Sequence, residues 1–273
     1  AAIFADTGLG KTRMQLAWAN AVNEVEHHDI LILAPLAVAA QTVEEGRALG
    51  VNVTHCRDDA DVRPGINITN YERLHRFDSE RFGAVALDES SCIKHHDSKT
   101  LRRLMDAFCH ASFKLCATAT PAPNDWTELG THAEFLGVCT RTEMLSEFFV
   151  HDGGETQVWR LKGHARNQFW RWVASWGAMV RSPADLGYDA SGYQLPPLHV
   201  HEHIVESTQN AIGMLFPLEA QTLSERREAR RSSMDARVAA CAATVAKNPN
   251  ESWVVWCDLN AEGDALTKAI PGA

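Results

Sequence analysis

The sequence has no apolar run that approaches the roughly 20 residues needed to cross a bilayer as a helix. Its first residues contain neither a basic segment nor a small-residue cleavage site, as a secretory leader would. These absences argue against a transmembrane chain and favour a cytoplasmic location.

Cysteine pairs and an excess of positive charge are also missing. None of the 7 cysteines forms a C-x-x-C pair, which argues against a zinc ribbon or a disulfide framework. The net charge of −9 argues against a surface coated in Lys and Arg, although a local basic stripe would suffice for nucleic acid. With 45% hydrophobic residues over 273 positions, the chain can form one large core or two smaller ones.

Short apolar runs alternate with helix-like segments in the first half of the chain. The runs are AAIFA (1–5), DILILAP (29–35), INIT (66–69), AVALDE (84–89) and KLCATAT (114–120). Helices are predicted at 11–22, 36–48, 98–109 and 125–136, the last two capped by Asp97-Ser98 and Asn124-Asp125. This alternation predicts an α/β fold with a parallel sheet.

The pattern changes near residue 140, where tryptophans cluster and Pro and Gly interrupt DLGYDASGYQLPPL. We predict a helical insertion, then a β-like run HVHEHIV and a long helix over about 224–246. SWVVWC followed by DLNAEGDALTKAI repeats the strand-then-helix signature. The predicted domains are an α/β lobe at 1–139, a helical insertion and linker at 140–249, and the start of a second α/β lobe at 250–273.

A phosphate-binding loop is predicted between the first strand and the first helix. Residues 5–12, ADTGLGKT, fit GxxxxGK[ST] except that Ala5 replaces the first glycine. Backbone amides turned inward would bind phosphate, Lys11 would reach the β- and γ-phosphates, and the Thr12 hydroxyl would ligate Mg²⁺. The predicted ligands are therefore ATP and Mg²⁺, bound by Thr7, Gly8, Leu9, Gly10, Lys11 and Thr12. A glycine-rich turn that contains GKT by chance is the alternative.

Two acids follow the apolar run AVAL, at Asp88 and Glu89. Nucleotide hydrolysis needs a second Mg²⁺ anchor and a group that activates water, and a carboxylate pair at a strand end supplies both. Asp88 is predicted to hold the metal and its water shell, and Glu89 to orient or deprotonate the attacking water. We predict that Glu89, Asp88 and Lys11 carry catalysis.

These residues resemble superfamily-two helicases and translocases, closest to the SWI/SNF-type ATPases and the DEAD/DEAH-box helicases of phages. The resemblance runs through most of the chain and is carried by TGLGKT (motif I), LILAPLAVAAQTVEE (motif Ia), ITNYERL, LDESSCIKHHDSKT (motif II), LCATATPAPNDWTELGTHAEFL (motif III), YQLPPLHVHEHIV and SWVVWCDLNAEGDAL (motif IV).

The resemblance implies a P-loop NTPase with a RecA-like parallel sheet, helices on both faces, a helical insertion and the start of a second RecA-like lobe. Such a protein hydrolyses ATP to move along nucleic acid, with DNA favoured over RNA, in a bacterial or phage-infected cytoplasm. By the same resemblance Ser91, Thr118 and Thr120 would couple hydrolysis to movement. Pro35, Leu36, Thr69 and Asn70 would lie along the nucleic-acid backbone.

Departures from the family pattern keep other functions open. Ser91 stands where the family often has His or Asp. Motifs V and VI would lie beyond Ala273 and the adenine-reading segment before Ala1, so we expect the isolated piece to be nearly inactive, since the motif VI arginine is worth about 10³–10⁵ in rate in other hydrolases. The alternatives are a non-motor P-loop nucleotide switch and a P-loop kinase for a small molecule.

Three further groups of residues have two interpretations each. Trp159, Trp170, Trp172 and Trp176 are interleaved with arginines and either stack on nucleic acid or pack inward, which we favour. The arginines at 226–237 form either a basic site or a solvated helix face, and the latter is favoured. His199, His201 and His203 alternate as metal ligands on a strand would, but exposed histidines fit equally well.

Overall fold

The computed structural model of the chain describes residues 1–151, 159–205 and 222–273. It divides into two compact units, residues 1–195 and 196–273, which are considered separately. None of the described helices is long and apolar enough to cross a membrane.

The first unit is built on a seven-stranded parallel sheet. The described strands of the chain are β1 (Ala2–Ala5), β2 (Ile30–Ala34), β3 (Val53–His55), β4 (Ile66–Asn70), β5 (Ala84–Asp88), β6 (Phe113–Ala117), β7 (Phe149–His151), β8 (Trp159–Leu161) and β9 (Gly177–Val180). The order across the sheet is β3-β4-β2-β5-β6-β1-β9, while β7 and β8 form a separate antiparallel pair. Because every strand of the large sheet runs the same way, the carboxyl ends share one edge, where open α/β sheets bind their ligands.

Helices cover both faces of this sheet. Those of the first unit are α1 (Lys11–Glu26), α2 (Ala39–Ala48), α3 (Lys99–Ala107), α4 (Leu129–Phe135), α5 (Arg141–Phe148) and α6 (Arg166–Trp176). Strand β2 is buried at every position, as expected for a central parallel strand. Its Ile32 packs in the same core as Leu16 of α1, whereas Leu33 packs in the core that contains Leu101 of α3.

The predicted α/β fold with a parallel sheet is confirmed. The five strands and four helical regions predicted in the first half of the chain are all present, and Ser98 caps α3 by accepting a hydrogen bond from the amide of Leu101. Four of the observed strands, β3, β7, β8 and β9, are not predicted by the sequence pattern. Strand β9 is four residues long and begins with glycine, and it pairs along its whole length with β1. Its extended state therefore comes from the edge that β1 offers rather than from local propensity.

The second unit contains α7 (Leu223–Ser232), α8 (Met234–Lys247) and α9 (Asn260–Ala269). Helices α8 and α9 bury Val238 and Leu266, and Arg237 pairs with Glu262. The single helix predicted over 224–246 is wrong in one respect, because it is interrupted at Ser233. The hydroxyls of Ser232 and Ser233 both donate to the carbonyl of Ala229, and such side-chain bonds compete with helix geometry.

Two predicted strands of the second unit are not formed. Residues 199–205 and 252–257 have no strand pairing within the described ranges. A strand needs a hydrogen-bonded neighbour, and an apolar run without one does not form a ladder. The helix predicted after SWVVWC is confirmed as α9. The domain boundaries at 139 and 249 remain predictions, although β9 extends the sheet beyond the first of them.

The centre of the sheet should dominate the stability of the first unit. Ile32 is almost completely buried, so Ile32→Ala should lower the free energy of unfolding by about 2–5 kcal/mol in chemical denaturation. Val25 is exposed on α1, and Val25→Ala should change the free energy of unfolding by no more than about 0.5 kcal/mol. Equal effects of the two changes would contradict this description of the core.

Candidate active site

The loop between β1 and α1 has the backbone that a phosphate-binding loop requires. Gly8 and Gly10 have φ angles of 83° and 79°, in the left-handed region that favours glycine. Gly10 is the N-cap of α1 and no side chain caps that end. The first amide groups of a helix have no acceptor within the helix, so they are available to an anion.

Lys11 holds the loop together from inside. Its Nζ donates to the carbonyl oxygens of Ala5 at 3.1 Å and Asp6 at 3.4 Å. The Asp6 carboxylate accepts a hydrogen bond from the amide of Thr7 at 2.7 Å. Thr7 and Gly8 are exposed, whereas Leu9 and Thr12 are partly buried at the start of α1. The loop is therefore preformed, with a half-buried ammonium group on it.

Asp88 lies at the carboxyl end of β5 and is joined directly to α1. Gln15 Nε2 donates to Asp88 Oδ1 at 2.6 Å, and both side chains are buried. The hydroxyl of Tyr71 donates to the Asp88 carbonyl at 2.7 Å. The structure thus brings Asp88 and the helix that follows the predicted phosphate loop together.

Burial sets the electrostatics of Asp88. It raises the pKa of the carboxyl group, and the neighbouring Glu89 acts in the same direction. The hydrogen bond from Gln15 and the charge of Lys11 act against this rise. A partly desolvated carboxylate is suited to bind a cation, and the Oε1 atom of Gln15 is buried there with no hydrogen-bond partner within the described residues. This donor set fits a magnesium ion that carries water.

Glu89 adopts an unusual backbone conformation. Its φ of 52° places a non-glycine residue in the left-handed region, which is strained and tends to occur at functional sites. Oε2 of Glu89 accepts a hydrogen bond from the hydroxyl of Thr118 at 3.3 Å, and that hydroxyl also accepts from the amide of Thr120 at 3.1 Å. Of the three predicted coupling residues, Thr118 therefore contacts Glu89 directly, and Thr120 contacts Thr118 through its backbone amide.

Ser91, the third, lies in the 3₁₀ turn that follows Glu89, with its side chain partly buried. Its neighbour Ser90 is fully buried and makes the specific contact instead, to His132 of α4. The Ser90 Oγ to His132 Nε2 distance is 3.2 Å, and His132 Nδ1 lies 3.4 Å from the carbonyl of Glu128. Because a carbonyl can only accept, Nδ1 carries the proton and the Ser90 hydroxyl donates to Nε2.

Sequence reasoning did not identify this buried connection. The Glu128 carboxylate accepts hydrogen bonds from Asn124, which lies in the loop after Thr118 and Thr120. Ser90, His132 and Glu128 thus link the turn at Glu89 to the segment that follows motif III. The only available signal was the four-residue spacing of Asn124, Glu128 and His132, which is common on helices.

The four residues predicted to contact nucleic acid all lie at the carboxyl edge of the sheet. Leu36 is exposed and Pro35 is partly buried after β2. Thr69 is fully buried, and Asn70 is buried and accepts a hydrogen bond from the amide of Arg73. Only Pro35 and Leu36 are accessible in this conformation.

The structure shows the burial of the tryptophans and histidines that had two interpretations. Trp172 and Trp176 pack against the main core, as favoured, and Trp159 lies against it too. His199, His201 and His203 are exposed. Within the described ranges no group of three or more His, Cys, Asp or Glu could hold a metal ion, which leaves the histidine metal site without support.

Comparison with solved structures identifies the class of fold. The SWI2/SNF2 ATPase core of Sulfolobus solfataricus, solved in complex with dsDNA, is 20% identical, with a TM-score of 0.53 over 68% of this chain and 40% of that one. The Hef helicase domain of Pyrococcus furiosus is 18% identical, with a TM-score of 0.43 over 50% of this chain and 32% of that one. The UvsW helicase of bacteriophage T4 is 13% identical, with a TM-score of 0.41 over 49% of this chain and 51% of that one.

The chain therefore has a RecA-like α/β fold, similar to that of the Sulfolobus SWI2/SNF2 ATPase core. It spans 40% of the length of the Sulfolobus ATPase core. No protein-family model matches the chain, and no curated protein matches it in sequence.

The buried histidine should make stability depend on pH. Burial lowers the pKa of His132 from 6.5 to about 4, so its neutral form is favoured in the folded state. The unfolded chain takes up the proton first, and stability present above pH 6.5 is lost as the pH falls toward 4. We expect this group to lower the free energy of unfolding by about 3 kcal/mol over that range.

His132→Gln should remove that part of the pH dependence in chemical denaturation measured across the range. His96 is exposed, and His96→Gln should leave the dependence as it is in the wild type. An unchanged pH profile for His132→Gln would contradict the assignment of a buried neutral imidazole.

The buried carboxylate of Asp88 should lower the free energy of unfolding at neutral pH. Because burial raises its folded-state pKa, the ionised carboxylate destabilises the fold at neutral pH, and this effect disappears below the unfolded value of 3.8. Asp88→Asn should raise the thermal midpoint of unfolding at neutral pH. The midpoint should rise by about 2–4 °C for each kcal/mol that the substitution adds to the free energy of unfolding, and this rise should vanish in acid. The exposed Asp97→Asn serves as control, and a lower midpoint for Asp88→Asn at neutral pH would refute the prediction.

Proposed function

We propose that this chain is the ATP-binding part of a motor that hydrolyses ATP and acts on nucleic acid, DNA rather than RNA. The observation that carries the proposal is the hydrogen bond from Gln15 to Asp88. It joins the helix that begins at the phosphate loop to the strand that carries the acidic pair. A nucleotide site needs phosphate donors and carboxylates within reach of one another, and this contact supplies that arrangement.

Each residue has a definite task in the proposed reaction. The amides after Gly8 and Gly10 and the ammonium of Lys11 bind the phosphate oxygens and stabilise their charge. Thr12 and Asp88 would hold Mg²⁺, which neutralises phosphate charge when bound. Water attacks the γ-phosphorus, the bond to the bridging oxygen breaks, and the products are ADP and inorganic phosphate. Glu89 orients the water and accepts its proton.

The contact between Thr118 and Glu89 supports coupling to movement. Thr118 follows β6, which lies between β5 and β1 in the sheet, so its hydroxyl is placed beside the catalytic carboxylate. A change in the position or charge of Glu89 during hydrolysis would alter this bond and be passed to the segment after Thr120. We propose the same coupling role for Ser90 through His132, in addition to the predicted role of Ser91.

Nucleic acid is proposed as the partner on two grounds. The Sulfolobus ATPase core, which has the same fold, was solved with dsDNA. Pro35 and Leu36 lie at the carboxyl edge of the same sheet, where they are accessible. By the same resemblance Thr69 and Asn70 would contribute only after a local rearrangement that exposes them.

Variants of Lys11 and Glu89 test the proposal. The chain spans 40% of the ATPase core it resembles, so turnover should be measured in the complete natural protein that carries this sequence. We expect ATPase activity that DNA stimulates. Lys11→Ala should abolish binding of a fluorescent ATP analogue, whereas Glu89→Gln should retain binding and lose hydrolysis by about 10²–10⁴-fold, as for a missing general base.

Lys268→Ala is the matched control, because this lysine is exposed on α9 and should affect neither property. Activity that neither DNA nor RNA stimulates would sink the motor proposal. Tight nucleotide binding without turnover would then indicate a switch, and a phosphorylated small-molecule product would indicate a kinase.

A further inference from the structure

An exposed tryptophan follows the coupling segment. Trp126 is 45% exposed, although tryptophan is the largest apolar side chain. Its ring meets that of Trp170 of α6 edge to face, with the centroids 5.0 Å apart and the planes at 83°. The indole of Trp126 is therefore supported on one side and open to solvent over almost half its surface.

The backbone around Trp126 is fixed from both sides. Asp125 accepts a hydrogen bond from the amide of Thr127 at 2.7 Å and caps the turn that contains Trp126. Asn124 donates to the carboxylate of Glu128 through both its side chain and its amide. An ordered backbone holds the ring in place, so binding to it would require little loss of conformational freedom.

Other aromatic residues of α6 have a different role. Trp172 and Trp176 contact each other, and Trp172 also contacts Phe148. Trp176 meets Phe4 of β1. These rings complete the core, whereas Trp170 connects that core to Trp126. The tryptophan cluster therefore has an internal part and one exposed member.

The surrounding segment is positively charged in an otherwise acidic chain. Residues 159–181 contain five Lys and Arg and no Asp or Glu, against a net charge of −9 for the whole chain. Lys162 donates to two backbone carbonyls and Arg181 pairs with Asp185, so these two charges are engaged. Arg166 is exposed and has no ion-pair partner within the described residues.

Arg166 and Trp170 are four residues apart on α6 and therefore lie on the same side of the helix. The helix thus presents a cation on the side that supports the exposed indole. A flat aromatic face with a neighbouring guanidinium is the combination that binds single-stranded nucleic acid, because bases stack on the ring while phosphates meet the charge.

We propose that Trp126, supported by Trp170, stacks on an unpaired base of a nucleic-acid strand, and that Arg166 contacts a phosphate of the same strand. The proposal rests on the proposed function and deepens it, because it assigns a strand with exposed bases as the substrate. The position of Trp126 supports the proposal. Trp126 lies between Asn124 and Glu128, which contact each other. Glu128 in turn contacts His132, and His132 contacts Ser90 in the turn that follows Glu89. ATP-driven changes at Glu89 would then move the base-binding residue.

The test compares two oligomers and uses the complete natural protein. One is a fluorescein-labelled oligothymidylate, and the other is an abasic oligomer of the same length, which has phosphates but no bases. Trp126→Leu keeps apolar volume against Trp170 but removes the aromatic face. It should weaken binding of oligothymidylate by about tenfold in fluorescence anisotropy and leave binding of the abasic oligomer unchanged. Trp126→Phe should retain most of the affinity.

Arg166→Gln should act through charge instead. It should weaken the binding of both oligomers. It should also reduce the slope of log affinity against log salt concentration by about 0.7, the value for one phosphate of a single strand. Arg47 is exposed in the last turn of α2, and Arg47→Gln should leave affinity and slope unchanged.

The outcomes separate this inference from the proposed function. If the wild-type protein binds neither oligomer nor duplex, the proposed function itself fails. Base stacking is refuted if the wild-type protein binds oligothymidylate and Trp126→Leu either leaves its affinity unchanged or lowers the affinity for both oligomers equally. Trp126 would then serve the fold or a protein contact. Normal binding of a fluorescent ATP analogue by Trp126→Leu shows that the fold and the nucleotide site are intact.

Discussion

The hydrogen bond between Gln15 and Asp88 is the contact on which the site depends. It connects two segments that are 73 residues apart in sequence. It sets the distance between the phosphate loop and the acidic pair, because α1 begins at Lys11 and β5 ends at Asp88. Both side chains are buried, where a hydrogen bond to a charged group is stronger than in water. Without this contact the loop and the carboxylates would be two separate features of one sheet edge.

Several features of the site reduce stability and are explained by function. Asp88 is a carboxylate in a desolvated position, Glu89 has a left-handed backbone, and Gln15 Oε1 lies buried without a partner within the described residues. Each is unfavourable taken alone, and all three meet at the same site. Such a concentration of local conflicts is expected where binding chemistry, rather than packing, has determined the residues.

A second connection, buried at Ser90, His132 and Glu128, leads away from this site. Ser90 and His132 join the turn at Glu89 to α4, and Asn124 and Glu128 join α4 to the loop that carries Trp126. The imidazole remains neutral because burial lowers its pKa to about 4, so the connection does not depend on protonation near neutral pH. The proposed hydrolysis site at Glu89 and the proposed nucleic-acid surface at Trp126 are thereby linked through defined contacts rather than through proximity alone.

The amino-acid sequence was sufficient to predict the α/β class, the glycine-rich loop before α1 and the acidic pair, because each depends on local patterns: strand-length apolar runs, glycines that tolerate positive φ, and acids directly after a buried strand. It did not reveal β9, the contact of Gln15 with Asp88, or the role of His132. These depend on which segments the fold places side by side, and a four-residue strand or a lone buried histidine has no local signature. The packing of the folded chain leaves Trp126 exposed while Phe169 and Trp176 of α6 are buried, because burial depends on what packs against a ring and not on the ring itself.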